Sequence, residues 1–357
     1  MVSAWYYQRF GICRNCEQMR FTGQQRQHAN HQKRKMFFHF SGRAPLMLLV
    51  LSTLFLAVSC ISVKKESKTP TLLKAEPATK EHLLAEVSRF AKVSSLHAKM
   101  DLKFEDNSFA QFGSKEIYRA ADGEIVVQRP ANIYLKVQVP VIKTDVAQMS
   151  SDGENFRVAV LQDGGSGKYK KFLKGKNRAD YSQLQKAIDE NNDNGAVSQN
   201  VNAFANLRPQ HFTDAMLVRP ISQENVYTHS TIFQVEEDEK QDKKSPLRIV
   251  NRGYYLLDEF GKDSTGELKI LRRFWFDRVG GIRLARQQIF DAKGEIESDI
   301  TYGVPGTLTE TTDYRDLPLR ITVTRPQEKY AMTLTYQAPA SVTIGRVYPE
   351  RAFLLEN

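Results

Sequence analysis

The residues that could do chemistry in this chain are few, and most stand apart from one another. Four histidines follow residue 60, His82, His97, His211 and His229, and no two are spaced to share a metal ion. The stretch Gly164-Gly165-Ser166-Gly167-Lys168 has the outline of a phosphate loop, but it lacks that motif's first glycine and carries Tyr169 where Ser or Thr is required. A flexible turn accounts for it. Glu236-Glu237 opens a charged run ending at Lys244, the composition of a solvated loop. No G-x-S-x-G nucleophile elbow occurs. Cys13 and Cys16, followed by His28 and His31, have zinc-ligand types, yet no apolar sequence surrounds them to build a core. A polar extension is the plainer reading, with Met36 a second candidate start. Catalysis, a metal site and a cofactor are therefore not expected, and an envelope hydrolase assembled from scattered residues is the weakest reading.

The third cysteine stands in a different context. Between Pro45 and Cys60 lies an apolar stretch preceded by bases at 33–35 and at Arg43. At about thirteen residues it falls short of the ~20 that a membrane-spanning helix needs. Basic flank, short apolar core and small closing residues describe a secretory signal peptide. Its end, Ala57-Val58-Ser59-Cys60, resembles the bacterial lipobox, in which the cysteine takes a thioether-linked lipid and becomes the new N-terminus. Ala57 stands where Leu is more usual. Residues 61–78 contain Lys64, Lys65, Glu66, Ser67, Lys68, Pro70 and Pro77, as suits a solvated tether. In enteric bacteria an acidic residue after the lipidated cysteine favours inner-membrane retention; Ile61 is not acidic, so a periplasm-facing lipoprotein of the outer membrane is expected.

Charge supports this division. The chain of 357 residues has a formal net charge of +10, but residues 1–59 hold eight bases and one acid, leaving 43 bases and 40 acids beyond them. The basic balance belongs to the leader, so a nucleic-acid partner is not expected. Cys60 is the only cysteine after the leader, so no disulfide supports the domain, which must rest on its own core.

Three parts are expected: a leader over 1–59, a tether over 60–78, and a folded domain over 79–357 with an insertion at 162–222. In 79–96, Leu83, Leu84, Val87, Phe90 and Ala91 recur at helical spacing. The period then changes to two, with Ala98, Met100, Leu102 and Phe104 alternating with polar residues. Asp122-Gly123 reads as a hairpin turn between Ile117 and Ile125. Ile133, Leu135, Val137 and Val139 alternate in turn, and Phe156, Val158 and Val160 resume after Asp152-Gly153. The insertion offers two short helices, at 181–188 and from Pro209 through Phe212, Ala215 and Met216. Strands return over 231–235, 247–257, 268–276, 282–290, 296–302, 319–323 and 330–336, with turns at Gly280-Gly281, Lys293-Gly294 and Arg325-Pro326. The fold class is mainly β (α+β), with about eleven antiparallel strands.

This arrangement, with Leu83 to Phe104 at its start, Gln128-Arg129-Pro130 ending a strand, and Phe274-Trp275-Phe276-Asp277 leading through Gly294 and Tyr302 to Leu317-Pro318, resembles the LolA/LolB family of periplasmic lipoprotein carriers. The resemblance implies an incomplete β-barrel wrapped over an N-terminal helix and short lid helices, with an apolar cavity for acyl chains. The long insertion departs from a minimal carrier, and Cys60 points to a lipidated relative. Candidate cavity residues are Met100, Leu102, Phe104, Ile133, Leu135, Val137, Phe274, Phe276, Met332 and Leu334, for each of which ordinary core packing is the alternative. The implied partners are a membrane, reached through the N-terminal lipid, and a lipid or acylated lipoprotein cargo. The second reading is a structural or assembly lipoprotein that binds an envelope protein. An open cavity would favour the carrier; a filled interior with an exposed apolar patch would favour the scaffold. Cys60→Ala is expected to abolish incorporation of labelled palmitate, and labelling that persists overturns the lipobox reading.

Overall fold

The computed structural model describes residues 69–106, 116–117, 121–138, 144–161, 171–177, 209–309, 314 and 316–355. These fall in one unit, Ser67–Asn357. Strand β1 (Thr71–Leu72) leads to helix α1 (Lys80–Ala91), then to β2 (Ser95–Asp106), β3 (Glu116–Ile117), β4 (Ala121–Gln128), β5 (Asn132–Gln138), β6 (Asp145–Ser151), β7 (Asn155–Val160) and β8 (Lys171–Lys176). Helix α2 (Pro209–Met216) separates these from β9 (Val226–Glu237), β10 (Ile249–Lys262), β11 (Leu268–Asp277), β12 (Arg283–Phe290), β13 (Ile296–Gly306), β14 (Leu317–Arg325), β15 (Tyr330–Tyr336) and β16 (Thr343–Ile344). Cys60, the leader, the Gly164–Lys168 stretch, Val139 and the helix expected at 181–188 lie outside the described residues.

All sixteen strands form one sheet, and β15 joins its two halves by pairing with β2. Every pairing is antiparallel except that of β1 with β10. Among the described residues the sheet does not close. β8 ends one side, and β9 ends the other by pairing only with β10. The mainly β, open-barrel expectation therefore holds, with sixteen strands rather than about eleven. Two of the additional strands are two-residue pairings at 71–72 and 343–344, too short to show a period. β8 was hidden because Lys171, Lys174 and Lys176 interrupt its apolar pattern.

Asp122-Gly123 is not a turn. Both residues lie inside β4 and pair with Asp101 and Met100. The glycine serves close packing: a Cβ there would sit 2.7 Å from Leu102 Cδ1. By contrast, Gly153, Gly280, Gly281 and Gly294 all have positive φ and make the expected turns.

The sheet's two faces differ in kind. On the outer face, Arg273 Nε meets Asp258 at 2.6 Å, Arg286 Nε meets Asp299 at 2.6 Å, and Arg252 reaches Asp277 at 2.9 Å. Trp275 lies among them, donating to Gln288 at 3.0 Å beneath the Arg286 guanidinium. The inner face is apolar and carries the helices. α1 is capped by Thr79, whose hydroxyl accepts from His82 N, and buries Leu83, Val87 and Phe90 on one stripe. α2 buries Pro209, His211, Phe212, Thr213, Ala215 and Met216. Irregular registers at Glu259/Phe260, Trp275/Phe276 and Ile289/Phe290 fall on three successive pairings, and such bulges bend the strands that carry them. Gly123→Val is expected to cost about 1–3 kcal/mol in urea unfolding through overpacking, and less in a Leu102→Ala background, where the clash partner is gone.

Candidate functional site

Strand register lays the inner face out in rows that cross the sheet. One row runs Leu257, Phe274, Gln287, Ile300, Val323, Met332 and Phe104, each directly opposite the next. A neighbouring row includes Tyr255, Phe276 and Leu284 on one side and Tyr302, Ile321, Leu334 and Leu102 on the other. Met100, Gly123, Val137, Ala147 and Val160 continue the face, as do Ala98, Ile125, Leu135, Met149 and Val158, and Leu96, Val127 and Ile133. All ten cavity candidates thus share one face, and all ten are buried. Burying a side chain of this kind contributes about 1.5–3 kcal/mol.

One end of these rows is polar. Glu259 opposes Arg272, which opposes Ile289 and then Ser298; Arg325 donates to Ser298 Oγ at 2.6 Å and opposes Tyr330. α2 adds His211, whose Nδ1 lies 2.5 Å from the Tyr330 hydroxyl, and Asp214, whose carboxyl burial pushes up in pKa. Arg325 also reaches Glu328 at 2.6 Å and Glu297 at 3.4 Å.

The helices cover the apolar rows. α1 brings Phe90 to 5.5 Å from the Tyr302 ring. α2 lies against β4, β5, β6 and β14, and its Ala215 carbonyl accepts from the Tyr302 hydroxyl at 3.2 Å. Where α2 ends, two arginines hold the chain by its backbone. Arg129 donates to Val218 O at 2.7 Å and also to Ala91 O and Val93 O at 3.1 Å, joining the ends of both helices. Burial lowers its guanidinium pKa. From the other half of the sheet, Arg272 donates to Arg219 O at 2.8 Å and Pro220 O at 3.2 Å. Its Nε pairs with Glu259, which also accepts from Asn225 and Tyr227. Burial works against the Glu259 charge, but those donors outweigh it and lower its pKa overall.

A small gap lies on this face. A cavity of about 20 Å³ lies where the helices meet, lined by Phe90, Met216, Tyr302, Leu317, Ile321 and Tyr336 among others. It has room for about one water molecule. None of the ten predicted residues lines it; they lie under the cover or beside it. Sequence periodicity found the face but missed this gap, because its walls come from two helices and a sheet that meet only in the tertiary fold. The arginine contacts were missed as well, since their acceptors are carbonyls, which every residue has. Among the described residues no group of three or more His, Cys, Asp or Glu is placed to hold a metal, and no helix is long and apolar enough to cross a membrane.

No family model and no curated protein matches the chain. Solved structures similar to it include a LolA superfamily protein from Nitrosomonas europaea, at 12% identity and a TM-score of 0.37, covering 78% of this chain and 99% of that one. Another is a putative outer membrane lipoprotein-sorting protein domain from Vibrio parahaemolyticus, at 11% identity and a TM-score of 0.38, covering 76% and 94%. A third is a DUF1329 family protein from Desulfovibrio piger, at 9% and 0.39, covering 76% and 95%. At these identities and TM-scores the likeness assigns neither cargo nor function, and the chain's own geometry must carry both. Arg272→Met would strand the Glu259 carboxylate in a buried site, and is expected to cost about 3–5 kcal/mol in urea unfolding. Arg272→Met with Glu259→Gln should lose markedly less.

Proposed function

We propose that the chain is an envelope lipoprotein, lipidated at Cys60, that takes the acyl chains of a lipid or acylated protein against the inner face of its open sheet as a carrier or acceptor. One observation carries the reading. The rows across the sheet are apolar at most positions, and over β4–β6 and β14 they are covered by an eight-residue helix, α2. The tie between that helix's exit and the sheet's arginines consists of side-chain bonds to its backbone. A cover of this kind can leave without unpairing a strand.

Acyl chains replace what the cover supplies. Moving α2 bares apolar surface, and each methylene laid there contributes about 0.8 kcal/mol. Ten methylenes offset a good part of the cost of opening, with no catalytic group involved. The gap beside α2 holds about 20 Å³, too little for an acyl chain, so binding there requires α2 to shift and affinity is reduced by the fraction of time the closed form occupies.

The burial of all ten face residues favours a second reading, an assembly lipoprotein whose inner face is permanently occupied by its own helices and which binds a protein elsewhere. Native mass spectrometry of the protein extracted from membranes separates the two. The carrier predicts adducts with the mass of a lipid beyond the one attached at Cys60, and acyl probes that compete with them. Repeated absence of such adducts, with no uptake of added probe, leaves the scaffold.

A further inference from the structure

At the β9 edge the inner face runs out from under its cover. β1 pairs with β10 where β11 has ended, placing Leu72 opposite Asn251, and β9 places Val235 opposite the same residue from the other side. One step along, Phe233 opposes Gly253. A Cβ on that glycine would lie 3.0 Å from the Phe233 ring and 3.4 Å from Ala75 Cβ, so the ring lies across the strand towards Ala75. These residues stand on the same face of the sheet as Tyr255 and Leu257, whose own rows reach β9 at His229 and Thr231, so the patch lies on the inner face at its rim. Yet Leu72 is 66% exposed, Val235 62% and Phe233 49%, and Leu247, on the turn closing the β9–β10 hairpin, is 55%. Scattered exposed apolar residues are ordinary, but a contiguous set is an interaction surface.

The position of the patch in the chain identifies its occupant. Leu72 is twelve residues from Cys60, a stretch that spans about 20 Å as flexible chain and about 40 Å fully extended. If Cys60 is lipidated, the patch is held within that distance of the bilayer. The nearby charges are mixed, with Lys74, Lys240, Lys243 and Lys244 against Glu237, Asp238, Glu239 and Asp242. The attraction is therefore apolar insertion at the headgroup boundary rather than a basic footprint. We infer that Leu72, Phe233 and Val235 form a membrane-contact rim, which seats the open edge of the sheet on the lipid surface and brings the apolar rows into line with the acyl layer. This inference rests on the lipidation proposed for Cys60.

The test uses the absence of any other cysteine after the leader. With the Cys60 sulfur held in a thioether, a fluorophore attaches only to an introduced thiol, at Val235→Cys or, as a control on exposed surface elsewhere, at Val347→Cys, where Val347 is 84% exposed. The lipidated protein is reconstituted in vesicles of phosphatidylethanolamine and phosphatidylglycerol containing nitroxide-labelled lipid. Quenching at position 235 is expected to exceed that at 347 by about threefold or more, as for a side chain held at the interface. Equal quenching, with the protein still bound through its lipid, overturns the rim and leaves the anchor intact. If Cys60 carries no lipid, the anchor fails, and the label is placed in a background with Cys13, Cys16 and Cys60 each replaced by Ser, so that position 235 is again the one thiol. Quenching at 235 on simple addition of vesicles then still supports the rim, and its absence overturns it. A label at 235 already shielded without vesicles, more so as protein concentration rises, shows a second copy on the patch and also overturns it.

Discussion

The hold of Arg129 and Arg272 on the chain leaving α2 is the constraint on which this domain turns. A single curled sheet leaves an apolar face that its own strands cannot bury. α2, with eight residues, is too short to be stable as a helix alone. It persists because its side chains are buried and because its exit at 218–220 is tied to both halves of the sheet, to β4's end through Arg129 and to β11 through Arg272. Buried carbonyls without donors cost free energy. The guanidinium groups supply donors where the helix no longer can.

The two ties differ in kind. Arg272 is neutralised by Glu259, and that pair is completed by Asn225 and Tyr227. A buried ion pair of this sort contributes little net stability but is costly to break from one side. The Arg129 head donates to carbonyls at the ends of both helices, where partial negative charge collects. The cover is thereby fastened to two helix ends and to a charge pair rather than to the sheet's hydrogen-bond ladder, so cover and sheet are separable units.

Much of the sheet was legible because one of its faces meets helices and the other meets water. That contrast wrote a period of two into 98–104, 133–137 and 330–336, and it placed all ten candidate residues on the same face. The reading failed where the contrast fades. β8 has lysines at three of its six positions. Asp122-Gly123 carries a turn's residue types inside a strand, because the glycine makes room for Leu102. The arginine ties, the polar row and the Leu72–Val235 rim join residues tens to hundreds of positions apart, and no local pattern announces them. Cys60 remains legible from sequence only.

The outer face, with its ladder of arginines and carboxylates, has a consequence for the inner one. Sliding β11 by one residue against β10 would turn every side chain to the opposite face. Sliding it by two would preserve the faces but set Arg273 against Leu256 or Phe260 instead of Asp258, and would part Tyr254 from Asp277. Hydrophobic contact alone tolerates the second error, since one buried aliphatic residue resembles the next. Charge pairing does not. The water-facing side therefore acts as the alignment key, fixing which apolar residues stand level with one another on the side it never touches.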